Sequence, residues 1–292
     1  MAKRKRQTLK REYERRIILF LDFLGFKEIV ENTVRDDEKL QSLLKAIDRL
    51  YDIGQEDADL YKTRSITTFS DSVVLSYAIH EQSAVFYLLN DIAFAVIDLA
   101  IQGYLVRGAV TVGDLVHTTR YLVGPAMVTA YEMESKLAKT PRVLIDRKLV
   151  SIARKAHAEQ HDGKHEADYV RNFMTKDEDG HHYLNYVSWK SVVEIVGMDD
   201  DNYPLYLRDI GIILKRGLAK TDPGVLSKYL WIHEQYVAAI EQFEKLGAKH
   251  AYRINNPENC EAIEGLSKLT EDVRNAKRII KAARKKQVKG GS

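Results

Sequence analysis

The sequence contains a single cysteine, Cys260, among its 292 residues. A disulfide scaffold and a multi-cysteine zinc site are therefore excluded, and a reducing cytosol suits the chain. Long apolar runs are also lacking, because Asp22 ends the apolar run 17–21 well short of a signal-peptide core. The most apolar stretch, residues 81–102, is interrupted by one amide and two acidic side chains, which favours a buried helix over a membrane span. We therefore expect a cytoplasmic protein without a membrane span.

Net charge is small, at +3, but it is distributed unevenly. Residues 1–16 carry +6 and residues 276–292 carry +7, which leaves −10 for the chain between them. A hydrophobic fraction of 45% is enough for a sizeable core and excludes global disorder. The basic ends lack interleaved aromatic residues, so we interpret them as solvated termini, with weak attraction to polyanions as the alternative. No nucleic-acid partner is expected.

Short β-rich runs alternate with helical patterns, which indicates an α/β or α+β sheet domain. Strands are predicted at residues 16–23, 64–69, 73–79, 104–117 with a turn at 113–114, 142–146, 169–174 and 183–187. Helices are predicted within residues 26–53, at 81–102 and 126–137, and then, after about residue 189, at 225–246 and 261–286. The predicted division is a basic segment at 1–15, a sheet domain at 16–190 and a helical C-terminal extension at 191–292 that packs on the sheet domain.

Two acidic residues stand where predicted strands end. Asp22 closes the first strand, and Asp71 lies in the polar turn 70–72 between two strands. If these strands are neighbours, both carboxylates emerge at one edge, where a hard cation would relieve their repulsion. Gly25 lets the backbone approach a ligand, and the amides of residues 23–26 can hold phosphate oxygens. On spacing alone, a helix cap and an ordinary turn are the more frequent explanations of the two aspartates.

Four segments, in order, resemble motifs of the class III nucleotide cyclases, the adenylate and guanylate cyclase catalytic domain. The family pattern F-x-D-[IL]-x-G-F is matched by residues 20–26, FLDFLGF. Its hairpin pattern G-D-x is matched by residues 69–72, FSDS, with Ser70 in place of glycine. The pattern R-x-G-I-x-x-G resembles residues 107–113, RGAVTVG, and the helix G-x-x-V-N-x-A-A-R-[LM]-E resembles residues 124–134, GPAMVTAYEME.

The resemblance implies a ferredoxin-type βαββαβ sheet domain that acts as a head-to-tail homodimer with two composite sites. In the family, two divalent ions, Mn²⁺ or Mg²⁺, position a nucleoside triphosphate so that its 3′-oxygen attacks the α-phosphorus and pyrophosphate leaves. Asp22 and Asp71 match the metal-binding aspartates, and the Phe23 carbonyl matches the backbone ligand. The expected substrate-binding residues are Phe20, Phe23, Leu24, Gly25, Phe26 and Arg107, of which Arg107 matches an arginine that binds the phosphate chain.

The sequence departs from the family at the residues that read a purine and at two helix positions. Val128 and Glu132 stand where the family has an asparagine and a catalytic arginine, and Thr67 and Tyr121 stand at the purine-reading positions. A sequence that keeps the metal-binding aspartates and lacks the purine-reading residues resembles the bacterial pyrimidine cyclases of the Pycsar antiphage systems, which make cyclic UMP or cyclic CMP. Arg120 and Thr67 offer donors to a pyrimidine carbonyl, which favours UTP over CTP.

Two alternatives to a pyrimidine cyclase stay open. The first is a purine cyclase, against which Thr67 and Tyr121 count. The second is a degenerate domain that binds a nucleotide or a partner without chemistry, which Val128 and Glu132 support and the two kept aspartates oppose. The four histidines at 161, 165, 181 and 182 have no accompanying cysteine, so we interpret them as solvated side chains rather than metal ligands.

Overall fold

The computed structural model describes residues 12–55 and 62–290 of the chain. The strands are β1 (Glu14–Phe23), β2 (Ser65–Phe69), β3 (Ser72–Ala78), β4 (Val106–His117), β5 (Leu122–Val123), β6 (Val143–Ile145), β7 (Thr175–Lys176) and β8 (His182–Leu184). The helices are α1 (Phe26–Thr33), α2 (Asp37–Tyr51), α3 (Ala84–Ile101), α4 (Pro125–Glu132), α5 (Lys148–Lys155), α6 (Gly163–Asn172), α7 (Tyr203–Leu218), α8 (Pro223–Glu244), α9 (Ala251–Asn255), α10 (Pro257–Glu264) and α11 (Thr270–Gly290). Residues 1–11, most of the predicted basic segment, lie outside the described part.

The strands form one sheet in the order β2-β3-β1-β4-β6-β8-β7, with β5 paired to β4. Each neighbouring pair among β2, β3, β1 and β4 is antiparallel, and β6 runs parallel to β4. The first half of the chain thus folds as a strand, two helices, a hairpin, a helix and a strand. The predicted α/β fold with its βαββαβ order is confirmed.

Alternation along β1 gives the sheet two different faces. Ile17, Leu19 and Leu21 point into the main core beneath α2 and α3, because every second side chain of a strand points to the same face. Ile18 and Phe20 point to the opposite face, where Ala126 and Ala130 of α4 cover them. Asp22 follows on this second face, called the α4 face below.

The helical extension packs directly on the sheet domain. One cluster of buried side chains contains strand residues of the sheet together with residues of α7, α8, α10 and α11. Hydrogen bonds cross as well: Tyr203 Oη donates to Val187 O at 2.7 Å, and Trp231 Nε1 donates to Asp177 Oδ2 at 3.0 Å. The predicted packing of the extension is confirmed, whereas the boundary at residue 190 stays a prediction.

Three sequence-based expectations about elements are wrong. Residues 169–174 are the end of helix α6 and its C-cap rather than a strand, because Asp162 caps the helix and its apolar residues recur at helical spacing. Residues 113–114 do not turn, since Gly113 and Asp114 continue the pairing of β4 with β1. The helix expected at 261–286 is two helices, α10 and α11, separated around Leu269, which has a φ of 50°.

Helix α3 is long and apolar enough to span a bilayer, with a mean hydropathy of 1.9. In this protein, 61% of it is buried, against α2, α5, α6 and α7. It therefore packs as a core helix, as the interrupting polar residues of the sequence indicate.

Candidate active site

Asp22 and Asp71 lie together at the end of β1 and the β2–β3 hairpin. The register pairs Asp22 with Ser72 on one side and with Arg107 on the other. Ser70, at a φ of 55°, and Asp71 form the hairpin turn, and Asp71 O accepts a hydrogen bond from Phe23 N at 3.3 Å. The structure therefore brings the two aspartates to the same edge, as the order of the strands requires.

The electrostatics of this edge are unfavourable for two free carboxylates. Burial, followed by the neighbouring Asp71 carboxyl, raises the pKa of Asp22 to about 7. Two donors compensate in part, since Ser72 Oγ donates to Asp22 Oδ1 at 3.2 Å and Arg107 Nη2 lies 3.5 Å from Asp22 Oδ2. A carboxylate pair held in this way is a suitable donor set for a hard divalent cation.

Arg107 lies between two acids instead of facing solvent. Its Nε is 2.6 Å from Glu134 Oε1, and Glu134 is only 2% exposed. Burial raises the pKa of Glu134, while Arg107 opposes that rise. In the sequence Glu134 is only the last residue of the helix motif, and no local pattern pairs it with Arg107. The guanidinium therefore holds the carboxylates of Asp22 and Glu134 through Nη2 and Nε.

Lys228 is a second residue that the sequence did not reveal. It lies on α8 of the extension, and it lines a cavity of about 180 Å³ together with Leu24, Gly25 and Lys220. Burial, followed by the nearby charge of Arg107, lowers the pKa of Lys228. No motif places a residue of the extension here, because the approach of α8 to the β1–α1 turn is a tertiary contact.

The turn after β1 differs in part from its predicted role. Gly25 has a φ of 77°, which favours glycine, and it opens on the same cavity. Two of the four amides predicted to hold phosphate are already used, since Phe23 N donates to Asp71 O and Leu24 N donates to Leu105 O. For these two amides the expectation is wrong in this structure, because the turn is fastened to its neighbours through them.

The aromatic residues predicted to border the substrate are packed side chains. Phe20 is 4% exposed, with the rings of Phe69 and Tyr131 at 6.5 Å and 5.9 Å. Phe23 is 2% exposed and stacks on Phe26 at 6.0 Å. These rings shape the site from beneath, and any contact of Phe20 or Phe26 with substrate stays a prediction.

Thr67 lies on the α4 face, opposite Val74 and one row of side chains from the Asp22 row, roughly 7 Å along the strands. A chain of buried polar groups stands behind it. Thr67 Oγ1 is 2.9 Å from His117 Nε2, and His117 Nδ1 is 2.7 Å from Ser76 Oγ. Ser76 Oγ accepts from Arg16 Nε at 2.9 Å.

Arg120 and Tyr121 lie in the turn between β4 and β5, directly after His117. Thr118 closes this turn, because its Oγ1 accepts from Tyr121 N at 3.0 Å. The Arg120 guanidinium stands 5.3 Å from the centre of the Tyr121 ring. Through His117, the structure links this turn to Thr67, so the three predicted base-reading residues belong to one region.

Two further groups of residues from the sequence, on α4 and in the acidic turn 199–201, lie at the surface. Val128 is 58% exposed, and Glu132 forms an ion pair with Lys136 at 2.6 Å, so both side chains face solvent on α4. Among the residues that the structure describes, the one group of three clustered acids is Asp199, Asp200 and Asp201. That group lies on a surface turn of the extension, where Asp199 caps the backbone.

Comparison with known proteins gives structural likenesses only. The adenylyl cyclase CyaB from P. aeruginosa is 10% identical, with a TM-score of 0.42 over 60% of this chain and 95% of that one. The guanylate cyclase domain of RhGC from Catenaria anguillulae, in complex with GTP, is 14% identical, with a TM-score of 0.40 over 60% and 97%. A bacterial light-regulated adenylyl cyclase is 12% identical, with a TM-score of 0.37 over 60% and 92%.

No protein-family model matches the chain, and no curated protein matches it. Likenesses at these values assign no activity, substrate or partner to this chain.

Proposed function

We propose that this protein is a nucleotide cyclase that converts a pyrimidine nucleoside triphosphate, UTP in preference to CTP, into its 3′,5′-cyclic form and pyrophosphate. The observation that carries the proposal is the meeting of Asp22 and Asp71 beside the Gly25 turn. The four motifs in family order add support. The product would serve as a second messenger in antiphage defence, read by an effector that the enzyme does not contact.

The carboxylates of Asp22 and Asp71 and the carbonyl of Phe23 are the groups that would hold two divalent ions, Mn²⁺ or Mg²⁺. These residues fit a hard divalent cation because all of their donor atoms are oxygens and because a cation would relieve the repulsion between the Asp22 and Asp71 carboxylates. Bound there, the ions would supply Lewis-acid stabilisation of the 3′-oxygen and of the phosphate charge.

The chain's own cations complete the proposed site. Arg107 would release Glu134 or Asp22 and turn to the triphosphate, where a guanidinium forms paired charge-assisted hydrogen bonds. Lys228 would approach the same phosphates from the extension, across the cavity at Gly25. It offers a cation in an enzyme that lacks the family's helix arginine, since Glu132 stands in that place. Thr67, Arg120 and Tyr121 would contact the base.

A head-to-tail homodimer accounts for the apolar side chains that the α4 face leaves exposed. They are Phe69, Tyr121, Val123, Val128 and Tyr131, each between 41% and 58% exposed. A second copy laid on this face would cover them and close a cleft over the two aspartates, giving two composite sites. We propose that the dimer works in the cytoplasm, without a nucleic-acid partner.

The alternatives differ in one step each. A purine cyclase would need a base reader other than Thr67 and Tyr121. A degenerate, non-catalytic domain is favoured by Val128 and Glu132, which stand where the family has an asparagine and a catalytic arginine. The two alternatives predict different outcomes of one assay: a purine cyclase forms a cyclic purine nucleotide, and a degenerate domain forms no cyclic product.

Incubation of the purified protein with each of the four nucleoside triphosphates and Mn²⁺, followed by identification of the product, tests the proposal. Formation of cyclic UMP or cyclic CMP supports it, exclusive formation of cyclic AMP or cyclic GMP refutes the pyrimidine assignment, and no cyclic product supports the degenerate domain.

Asp71→Asn should lower turnover by at least about 10³-fold while leaving the unfolding temperature within about 2 °C, because only a turn carboxylate is lost. Mn²⁺ binding, followed by paramagnetic resonance, should weaken in parallel. Asp200→Asn is the matched control, since it removes a carboxylate from the surface acidic group. Full activity of Asp71→Asn would refute the metal role.

A further inference from the structure

The polar chain behind Thr67 has a direction that follows from its donors and acceptors. Arg16 is 4% exposed, and its guanidinium can only donate hydrogen bonds. Its Nε donates to Ser76 Oγ at 2.9 Å. Ser76 is fully buried, so its own hydroxyl hydrogen needs an acceptor. Within the described residues, the acceptor within reach of that hydroxyl is His117 Nδ1, at 2.7 Å.

The hydroxyl of Ser76 therefore fixes the tautomer of His117. If Nδ1 carried the proton, Ser76 Oγ would accept from both Arg16 and His117, and its own hydrogen would be buried without an acceptor. That arrangement costs roughly 1–3 kcal/mol. Nδ1 therefore accepts, and Nε2 carries the single proton of the neutral ring. Burial, together with the charge of Arg16, lowers the pKa of His117 to about 4, which keeps the ring neutral near pH 7.

The tautomer of His117 in turn determines the hydrogen-bond role of the Thr67 hydroxyl. The His117 Nε2 proton points at Thr67 Oγ1, 2.9 Å away, so the threonine oxygen accepts from the imidazole. The hydroxyl hydrogen of Thr67, which is half-buried, is then available for donation to a group other than His117. Without the imidazole, this hydroxyl would rotate freely between donor and acceptor roles.

We propose that His117 is a positioning residue that fixes Thr67 as a hydrogen-bond donor, and that Thr67 thereby selects a nucleobase carbonyl, uracil O4 over the cytosine amino group. The proposal rests on the proposed function, because it names the base that the same site takes. It holds whichever protomer of a dimer supplies the two aspartates.

Uracil and cytosine differ at C4 and at N3, where uracil carries an N–H donor and cytosine an acceptor, and the proposal concerns a Thr67 hydroxyl that faces C4. Uracil presents a carbonyl oxygen there, which accepts from the Thr67 hydroxyl. Cytosine presents an amino group, which would set a donor against a donor. An unmet donor in a site closed to water lowers the rate or affinity by about 10- to 100-fold. UTP should therefore exceed CTP by about that factor in kcat/KM.

The test compares the ratio of kcat/KM for UTP to that for CTP in four variants. Thr67→Val keeps the shape of the side chain and removes the donor, and Ser76→Ala frees the His117 tautomer while leaving Thr67 in place. Both should bring the ratio down towards one. Ser76→Thr keeps a hydroxyl at this position and should retain the ratio. Thr68→Val is the matched control, because it makes the same change on the opposite face of the same strand.

A second readout separates the two proposals. Calorimetric binding of UTP and CTP in the presence of Ca²⁺ reports the base preference even if no cyclic product forms. A wild-type protein that binds UTP over CTP but makes no cyclic nucleotide contradicts the proposed function and supports the inference. A cyclase that prefers CTP or a purine, or a Thr67→Val ratio equal to the wild-type ratio, overturns the inference and leaves the cyclase assignment standing.

Discussion

Buried His117 makes the stability of the folded chain sensitive to acid in a defined pH window. The ring is 6% exposed, and its pKa falls from the ordinary 6.5 to about 4. Because the unfolded chain takes up this proton at a higher pH than the folded chain does, stability is full above about pH 6.5 and is lost as the pH falls towards 4. The difference amounts to about 2.5 kcal/mol between pH 7.5 and pH 4.5, at about 1.36 kcal/mol per pKa unit.

Urea unfolding at pH 7.5, 6.0 and 4.5, followed by tryptophan fluorescence, measures this loss. His117→Gln removes the titrating ring. The difference between wild type and variant in the pH dependence of the free energy of unfolding therefore isolates His117 from the carboxylates and the other histidines. We expect the wild type to lose about 2.5 kcal/mol more than the variant over this range. Equal losses in the two proteins would refute the neutral buried imidazole, and with it the assigned tautomer.

Two further substitutions test packing and charge. Gly124→Ala should lower the free energy of unfolding by about 1–3 kcal/mol in thermal unfolding, because residue 124 has a φ of 155° and an added Cβ would lie 2.5 Å from Asp114 O. Gly247→Ala is the control and should leave the free energy of unfolding unchanged, because its Cβ would meet no atom within 4 Å. Equal losses in the two variants would contradict this reasoning. Lys228→Met should raise KM for the nucleotide by about 10-fold, because one proposed phosphate contact is lost. Lys215→Met, at an exposed position, is the control and should leave KM unchanged. An unchanged KM in Lys228→Met would remove Lys228 from the proposed site.

The parts of the site that lie in turns and strand ends follow from the sequence. Asp22 ends an apolar strand, and Asp71 lies in a polar turn between two β-rich runs, so local patterns are enough to place each. Their meeting depends only on β1 and β3 being neighbours, which the βαββαβ order dictates.

The remaining parts depend on contacts between distant segments, which no local pattern contains. Arg107 and Glu134 are 27 positions apart and meet because the π-helical turn Met133–Leu137, which follows α4, packs against β4. Lys228 reaches the site from a helix that follows the motifs by about 100 residues. His117 was read only as the end of a strand, and its role becomes visible when Ser76 and Thr67 flank it in space. Residues 169–174 were misread because short apolar runs fit a strand and a buried helix turn equally well.

Helix α8 connects the body of the extension to the cavity beside Gly25. Its 22 residues make a rod about 33 Å long. One end carries Lys228 into the cavity beside Gly25, and the other end, at Phe243, is clasped by the rings of Trp189 and Tyr252 at 5.3 Å and 5.9 Å. A tilt of the rod at its clasped end would therefore move Lys228 within the cavity.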